Sequence, residues 1–456
     1  MIKPSTGNFA GKDIEWHVVL RPLVLDRKAD RRRQRPDVAA MIMAFTQKAP
    51  ARPPIPAEIR VLLVAAFIIA LGFGLIAPIL PQYAVSFDVG AAAATVIVSI
   101  FAFTRLIFAP VAGVLVGKLG EPRIYVTGVL LVAVSTLLCA AVQDYTQLLL
   151  ARGLGGFGST MFTISAMALI ARLSPEESRG RISGLYAGSF LLGNVAGPVL
   201  GTVLAPLGMR LPFVIYGIAL VIAAMVVYMA LGRRRDLDER AKNPASAATA
   251  IEVVTMRQAM GSPTYRAALF SGFSYGWLAF GVRNSMIPLF ALAVFGQAQG
   301  QSVAGISLAI FAVGNGCALL FSGKLTDRIG RKIPVLIGMS VLIVSIGAMG
   351  FFTSLAGFVI CSVIAGFGAG TLGPAQQASV ADVIGSGRNG GKALAGFQMC
   401  QDLGSIIGPL IAGAMADFWS YQLAFSVSAV VGLVGVIAWL LVPQTTKPVP
   451  TDDRQP

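Results

Sequence analysis

The stretch GKLTDRIGRK, residues 323–332, decides the fold because it resembles an earlier stretch of the same chain. Its counterpart GVLVGKLGEP, residues 113–122, lies 210 residues earlier. Gly323, Leu325 and Gly330 match Gly113, Leu115 and Gly120, whereas Asp327 meets Gly117 and Arg331 meets Glu121. Other pairs keep nearly the same offset. AGFGAG (365–370) matches GGFGST (155–160) at 210, and GSIIGPLIAG (404–413) matches GNVAGPVLGT (193–202) at 211. AFGVRNSMIPLFA (279–291) matches GFGLIAPILPQYA (72–84) at 207. Matches in chain order at nearly one offset mean two homologous halves.

Both halves are apolar. Of the 456 residues 55% are hydrophobic and 12% charged, about half the charge of a soluble domain. The mean hydropathy is +0.75. The 51 glycines suit close helix contacts in lipid. Runs of about 20 residues, the length that crosses a bilayer, fall at 60–84, 92–117, 122–142, 146–172, 179–206, 210–232, 265–292, 301–325, 332–352, 355–382, 390–417 and 420–442. They lack the alternation of barrel strands, so they read as helices. The expected fold is an all-α membrane protein of twelve transmembrane helices in two homologous six-helix bundles, 59–232 and 263–443. The stretch 233–262 is a cytoplasmic linker and 444–456 a cytoplasmic tail.

The formal net charge of +15 follows the membrane topology. Alternate loops, including the linker, hold 18 Lys and Arg, and the opposite set holds only Arg210. By the positive-inside rule both termini are cytoplasmic. This distribution argues against nucleic acid as a partner. Residues 1–58 are a basic, Pro-containing extension, expected to be disordered or to precede the true start, since Met41 and Met43 lie nearer the first span. Cys139, Cys317, Cys361 and Cys400 all lie in apolar runs, with no disulfide or metal spacing.

The chain resembles the major facilitator superfamily, and within it the twelve-helix drug:proton antiporters, over residues 60–443. Three motifs carry the resemblance. The loop signature G-x-L-x-D-R-x-G-R-[RK] is intact at Gly323, Leu325, Asp327, Arg328, Gly330, Arg331 and Lys332, and damaged in the first half at Gly117 and Glu121. The fourth-helix signature R-x-x-x-G-x-G appears as Arg152, Gly156 and Gly158. The fifth-helix signature appears as Gly193, Gly197, Pro198 and Gly201, with Thr202 in place of its last glycine. Gly404, Gly408 and Pro409 repeat it in the eleventh span. These small residues let backbones approach, and the prolines bend their helices.

The resemblance implies a cytoplasmic latch at Gly323, Asp327, Arg328, Gly330 and Arg331. Asp327 is expected to face the start of the fifth span near Ser178 and Arg179, and Arg328 or Arg331 to reach Asp382. A solvated basic turn is the plainer alternative.

Within the spans lie three arginines, Arg105, Arg152 and Arg283, and one acid near mid-membrane, Asp402. A charge there is costly and ordinarily faces a cavity or a partner. The repeat-related residues are Asn315, Ser362, Ile76 and Leu191, so the fold itself does not demand the charges. Gln398, Gln401, Asp402 and Ser405 follow i, i+3, i+4, i+7 spacing and form one polar stripe. Desolvation raises a carboxyl pKa and a nearby arginine lowers it. Asp402, with Arg105, Arg152 and Arg283, is therefore the expected proton-coupling set; a static Asp–Arg pair and direct binding of a cationic substrate are the alternatives. Tyr275, Trp277, Phe280, Asn284, Asn315, Gln376, Gln377, Gln398 and Gln401 are the candidate cavity wall, mixing aromatics with a few polar groups as an amphiphilic ligand requires.

The single histidine, His17, lies in the extension, and no P-loop occurs. An enzyme is not expected, nor a cofactor or metal. The expected function is proton-coupled secondary transport by alternating access, exporting hydrophobic or amphiphilic molecules from a bacterial plasma membrane. The partners are a small-molecule substrate, protons and lipid, and the chain is expected to act as a monomer. A proton symporter for a nutrient or metabolite and a non-transporting membrane receptor are the alternatives.

Overall fold

The computed structural model describes residues 55–174, 179–204, 207–231, 254–385 and 391–443. Most of the 1–58 extension, most of the 233–262 linker and the 444–456 tail lie outside them, as do Ser178 and the side chains of Arg179 and Asp327.

Among the described residues, twelve helices are long and apolar enough to cross a membrane. The first half contributes Ala57–Ile76 (span 1), Ala91–Leu119 (span 2), Glu121–Ala141 (span 3), Tyr145–Leu173 (span 4), Arg179–Leu204 (span 5) and Leu211–Leu231 (span 6). A short helix, Leu80–Val85, extends span 1 beyond Pro78. The second half contributes Pro263–Gln297 (span 7), Gln299–Thr326 (span 8), Lys332–Met349 (span 9), Leu355–Ile384 (span 10), Gly391–Phe418 (span 11) and Tyr421–Leu440 (span 12). The turn between spans 7 and 8 is made at Gly296, whose φ of 70° suits glycine.

Repeat-related residues end and start the helices alike. Gly120 and Gly330, the last glycines of the duplicated loop signature, have φ of 87° and 84°. Both stand where a helix stops and a left-handed residue is needed. Span 4 starts where Asp144 accepts from the Gln147 N–H at 2.8 Å. Span 10 starts where Ser354 accepts from Gly357 at 3.2 Å. Each side chain satisfies a backbone donor that the helix leaves free.

The glycine motifs set the packing inside each half. A Cβ at Gly193 or Gly197 would lie 2.5 Å from Phe67 O or 2.4 Å from Leu71 O, so span 5 touches span 1 backbone to backbone. A Cβ at Gly404 would lie 2.0 Å from Phe273 O, and one at Gly408 would lie 2.9 Å from the Trp277 ring, so span 11 meets span 7 in the same way. At this contact span 7 widens into a π-helical segment, Gly276–Val282. Such widening is rare and recurs at functional sites.

The two halves meet chiefly through spans 2 and 11 and spans 5 and 8. Their hydrogen bonds among the described residues lie toward one end. Gln82 donates to Pro288 O at 3.0 Å and to Gly300 O at 3.3 Å. The Ala91 and Ala92 N–H groups donate to Asp417 at 2.8 and 2.7 Å, and Ser99 Oγ donates to Ile406 O at 2.9 Å. At the other end, which carries the basic loops, a methyl built at Gly113, Gly117, Gly184, Gly188, Gly316 or Gly323 meets nothing within 4 Å.

Candidate functional site

A chamber of about 130 Å³ lies between the halves. Span 11 lines it with Gln398, Gln401, Asp402 and Ser405, the polar stripe. Span 2 contributes Val98, Phe101, Ala102 and Arg105, and span 4 contributes Arg152. Span 7 adds Phe280 and Asn284, and span 1 adds Phe73, Ala77 and Leu80. One carboxylate and two guanidiniums therefore share an otherwise largely apolar wall.

Asp402 is half-buried and shares the chamber lining with Arg105. No direct ion pair joins Asp402 to an arginine among the described residues. The Ser405 hydroxyl donates to the Asp402 backbone carbonyl at 2.8 Å, which keeps that hydroxyl beside the stripe.

Arg152 is held differently. Gly156, one turn further along span 4, lies so close to span 2 that a Cβ there would sit 2.4 Å from Phe101 O. That approach carries the Arg152 guanidinium over the Phe101 ring, 4.3 Å from its centroid. Arg152 is 8% exposed, and its Nε has no hydrogen-bond partner. A buried cation on an aromatic face is worth about 2 kcal/mol or more when desolvated. This offsets part of the insertion cost.

The second half repeats the seat with a different occupant. Phe311 and Gly366 stand 210 residues after Phe101 and Gly156. A Cβ at Gly366 would lie 2.0 Å from Phe311 O. The guanidinium over Phe311, at 4.2 Å, comes from Arg283 of span 7. Arg283 does not line the chamber, so the structure gathers Asp402, Arg105 and Arg152 and leaves Arg283 apart.

The candidate wall residues divide in the same way. Phe280, Asn284, Gln398 and Gln401 line the chamber; Tyr275, Trp277, Asn315, Gln376 and Gln377 do not. Tyr275 packs edge-on against Phe280 with centroids 5.4 Å apart. Trp277 is 4% exposed and fills the groove at Gly408. Gln376 is fully buried within the second half, and Gln377 is exposed. The sequence does not single out Phe73 and Phe101, whose centroids lie 6.0 Å apart. An aromatic in an apolar span carries no signal there, although Phe101 stands one helical turn before Arg105.

At the basic-loop end Arg331 Nε donates to Asp382 Oδ2 at 3.0 Å, joining the start of span 9 to the end of span 10. Arg328 is exposed.

The family model of the Major Facilitator Superfamily matches residues 62–302 and 276–456. The chain is 25% identical over 364 residues to multidrug resistance protein 2 of Bacillus subtilis, covering 78% of this chain and 88% of that protein. It is 32% identical over 174 residues to the quinolone resistance protein NorA of Staphylococcus aureus, covering 38% of this chain and 45% of NorA. Among solved structures, a bacterial homologue of the human lysosomal transporter Spinster, inward-facing and unoccupied, matches with a TM-score of 0.69 at 18% identity. That match covers 85% of this chain and 97% of the other. The nucleoside transporter NupG matches with a TM-score of 0.63 at 13% identity, covering 84% and 99%. These two likenesses show the fold. With twelve apolar helices, two homologous halves and a chamber between them, the chain belongs to the Major Facilitator Superfamily and is a multi-pass inner-membrane transporter.

Proposed function

We propose that this transporter is proton-coupled and exports hydrophobic or amphiphilic small molecules by alternating access. The observation that carries the reading is the position of Asp402. It is a titratable group in a chamber between two homologous halves, with Arg105 in the same lining and no direct ion pair between them. A carboxyl so placed can take up a proton on one side and release it on the other, as the distance to Arg105 changes with the rocking of the halves.

The uneven contacts between the halves support alternating access. Hydrogen bonds join them at the Asp417 end, and glycines face open space at the basic-loop end. With the basic loops in the cytoplasm, as the positive-inside rule requires, this is the inward-open state. The largely apolar wall and the multidrug resistance relative support an amphiphilic cargo.

The test is flux of a panel of amphiphiles in proteoliposomes of the full chain, with a pH gradient imposed in either sense. Transport against the substrate gradient, driven by protons moving the opposite way, is the expected result. Flux indifferent to both gradients overturns proton coupling, and flux driven with the protons makes the chain a symporter.

A further inference from the structure

The chamber has an excess of positive charge, and one of its two cations lacks an acidic counterpart. Among the described residues of the lining Asp402 is the one carboxylate, set against the two guanidiniums of Arg105 and Arg152. Arg152 is more than nine-tenths buried, and no carboxylate among the described residues pairs with it. The Phe101 face offers it a quadrupole and no hydrogen-bond acceptor, and its Nε is left without a partner. A guanidinium presents five donors in a planar fork that matches a carboxylate. A donor buried without an acceptor is costly, so a ligand that supplies an acceptor is favoured at this site.

Beside this cation the wall is aromatic: Phe73, Phe101 and Phe280 line the same space. We infer that Arg152 is an anion-accepting subsite, and that the molecule held here is an apolar, aromatic-sized frame bearing one acidic group. The inference rests on the reading of the chamber as the transport site, and not on the source of energy. Export of an anion runs with an interior-negative membrane potential, so the charge agrees with the proposed direction.

The experiment compares naphthalene carboxylate with its neutral, near-isosteric carboxamide in equilibrium dialysis against the purified full-length protein in lipid nanodiscs. The parent protein is expected to bind the carboxylate about tenfold more tightly than the carboxamide, as one charge-assisted hydrogen-bond set provides. Arg152→Gln is expected to bring the two affinities together by weakening the carboxylate alone. Arg152→Lys keeps the charge without the fork and is expected to retain part of the preference, which guards against misfolding of the Gln variant. Equal binding of the two probes by the parent protein, or a carboxylate preference that survives Arg152→Gln, overturns the inference while leaving the chamber as a binding site. Binding of neither probe overturns the inference together with the reading of the chamber on which it rests.

Discussion

Glu121 and Arg172 form an ion pair of 2.8 Å that is the charge-reversed counterpart of the Arg331–Asp382 pair at 3.0 Å. Glu121 stands 210 residues before Arg331, and Arg172 stands 210 residues before Asp382. Each pair ties the start of the third helix of its half to the end of the fourth. The first half has therefore lost the Asp of the loop signature at Gly117 while keeping its brace in mirror polarity.

A double-mutant cycle tests that relationship. Reversing one charge, Glu121→Arg, places two cations together and is expected to lower thermal stability. Adding Arg172→Asp restores the second-half polarity and is expected to recover most of the loss. The Glu121–Arg172 side chains are 16% and 24% exposed, against 58% for Asp382. The cycle at Arg331 and Asp382 is expected to give about 1 kcal/mol or less, as exposed pairs do, and the more buried pair more than that. Thermal unfolding in lipid nanodiscs reads both cycles, and a double variant no more stable than Glu121→Arg would show that position 121 acts through other contacts.

The same pair marks where the sequence is legible and where it is not. Hydropathy and the 210-residue repeat disclose the twelve helices and two halves, since polar backbone groups in lipid must bond within the protein, which leaves few other folds. A comparison by identity sees Glu121 only as a departure from Arg331. The compensation lies 51 residues away at Arg172, and only the helix packing shows the two as partners. In the chamber, the stripe Gln398, Gln401, Asp402 and Ser405 is legible because polar residues at helical spacing are rare in an apolar span. Depth alone does not separate Arg152, which lines the chamber, from Arg283, which sits on Phe311 elsewhere. Which aromatic ring each guanidinium covers depends on Gly156 and Gly366 bringing spans together.

The glycines make a second test, because the structure sorts them into crowded and open. A methyl at Gly404 would lie 2.0 Å from Phe273 O and 2.7 Å from Trp277 N, against backbone that has nowhere to go. Gly404→Ala is expected to lower stability by about 1–3 kcal/mol, the range of overpacked cores. A methyl at Gly323 meets nothing within 4 Å, and Gly323→Ala is expected to leave stability unchanged or slightly raised. Thermal unfolding monitored by size-exclusion chromatography compares them. Equal stability of the two variants would contradict the close approach of spans 7 and 11.

Asp417 gives a third. Its carboxylate spans both halves by accepting from Ala91 N at 2.8 Å and Ala92 N at 2.7 Å, at the positive N-terminus of span 2. Gly90 leaves room for it: a Cβ there would lie 2.6 Å from Asp417 Oδ2. A carboxylate cap of this kind is worth about 0.5–2 kcal/mol. Asp417→Asn keeps the size but loses the charge and one acceptor. Opening at that end is expected to become up to about tenfold more frequent. Hydrogen–deuterium exchange reads it directly, since Ala91 and Ala92 are the donors released. Unchanged exchange over residues 88–97 would remove Asp417 as a clamp between the halves.

The remaining test concerns Asp402, and its force lies in separating two roles that one residue can play. Asn keeps the size of Asp402 and one acceptor oxygen but cannot titrate. If the carboxylate only balances Arg105, then Asp402→Asn leaves that cation uncompensated in a partly buried chamber. Removing one partner of a buried pair costs about 3–5 kcal/mol, so folding and insertion should fail. The absence of a direct ion pair between them argues for a smaller structural effect. If Asp402 carries the proton, the variant inserts normally and the halves still rock with substrate bound. Counterflow of substrate down its own gradient is then retained, while accumulation driven by a pH gradient is lost. The pH sign follows from the chemistry: a group that must release its proton on one side and regain it on the other confers pH dependence on the parent, and its Asn replacement removes that dependence from counterflow. Both assays are run in the same proteoliposomes, so insertion is controlled by the counterflow signal itself. Proton-driven accumulation persisting in Asp402→Asn would move the coupling site away from the chamber.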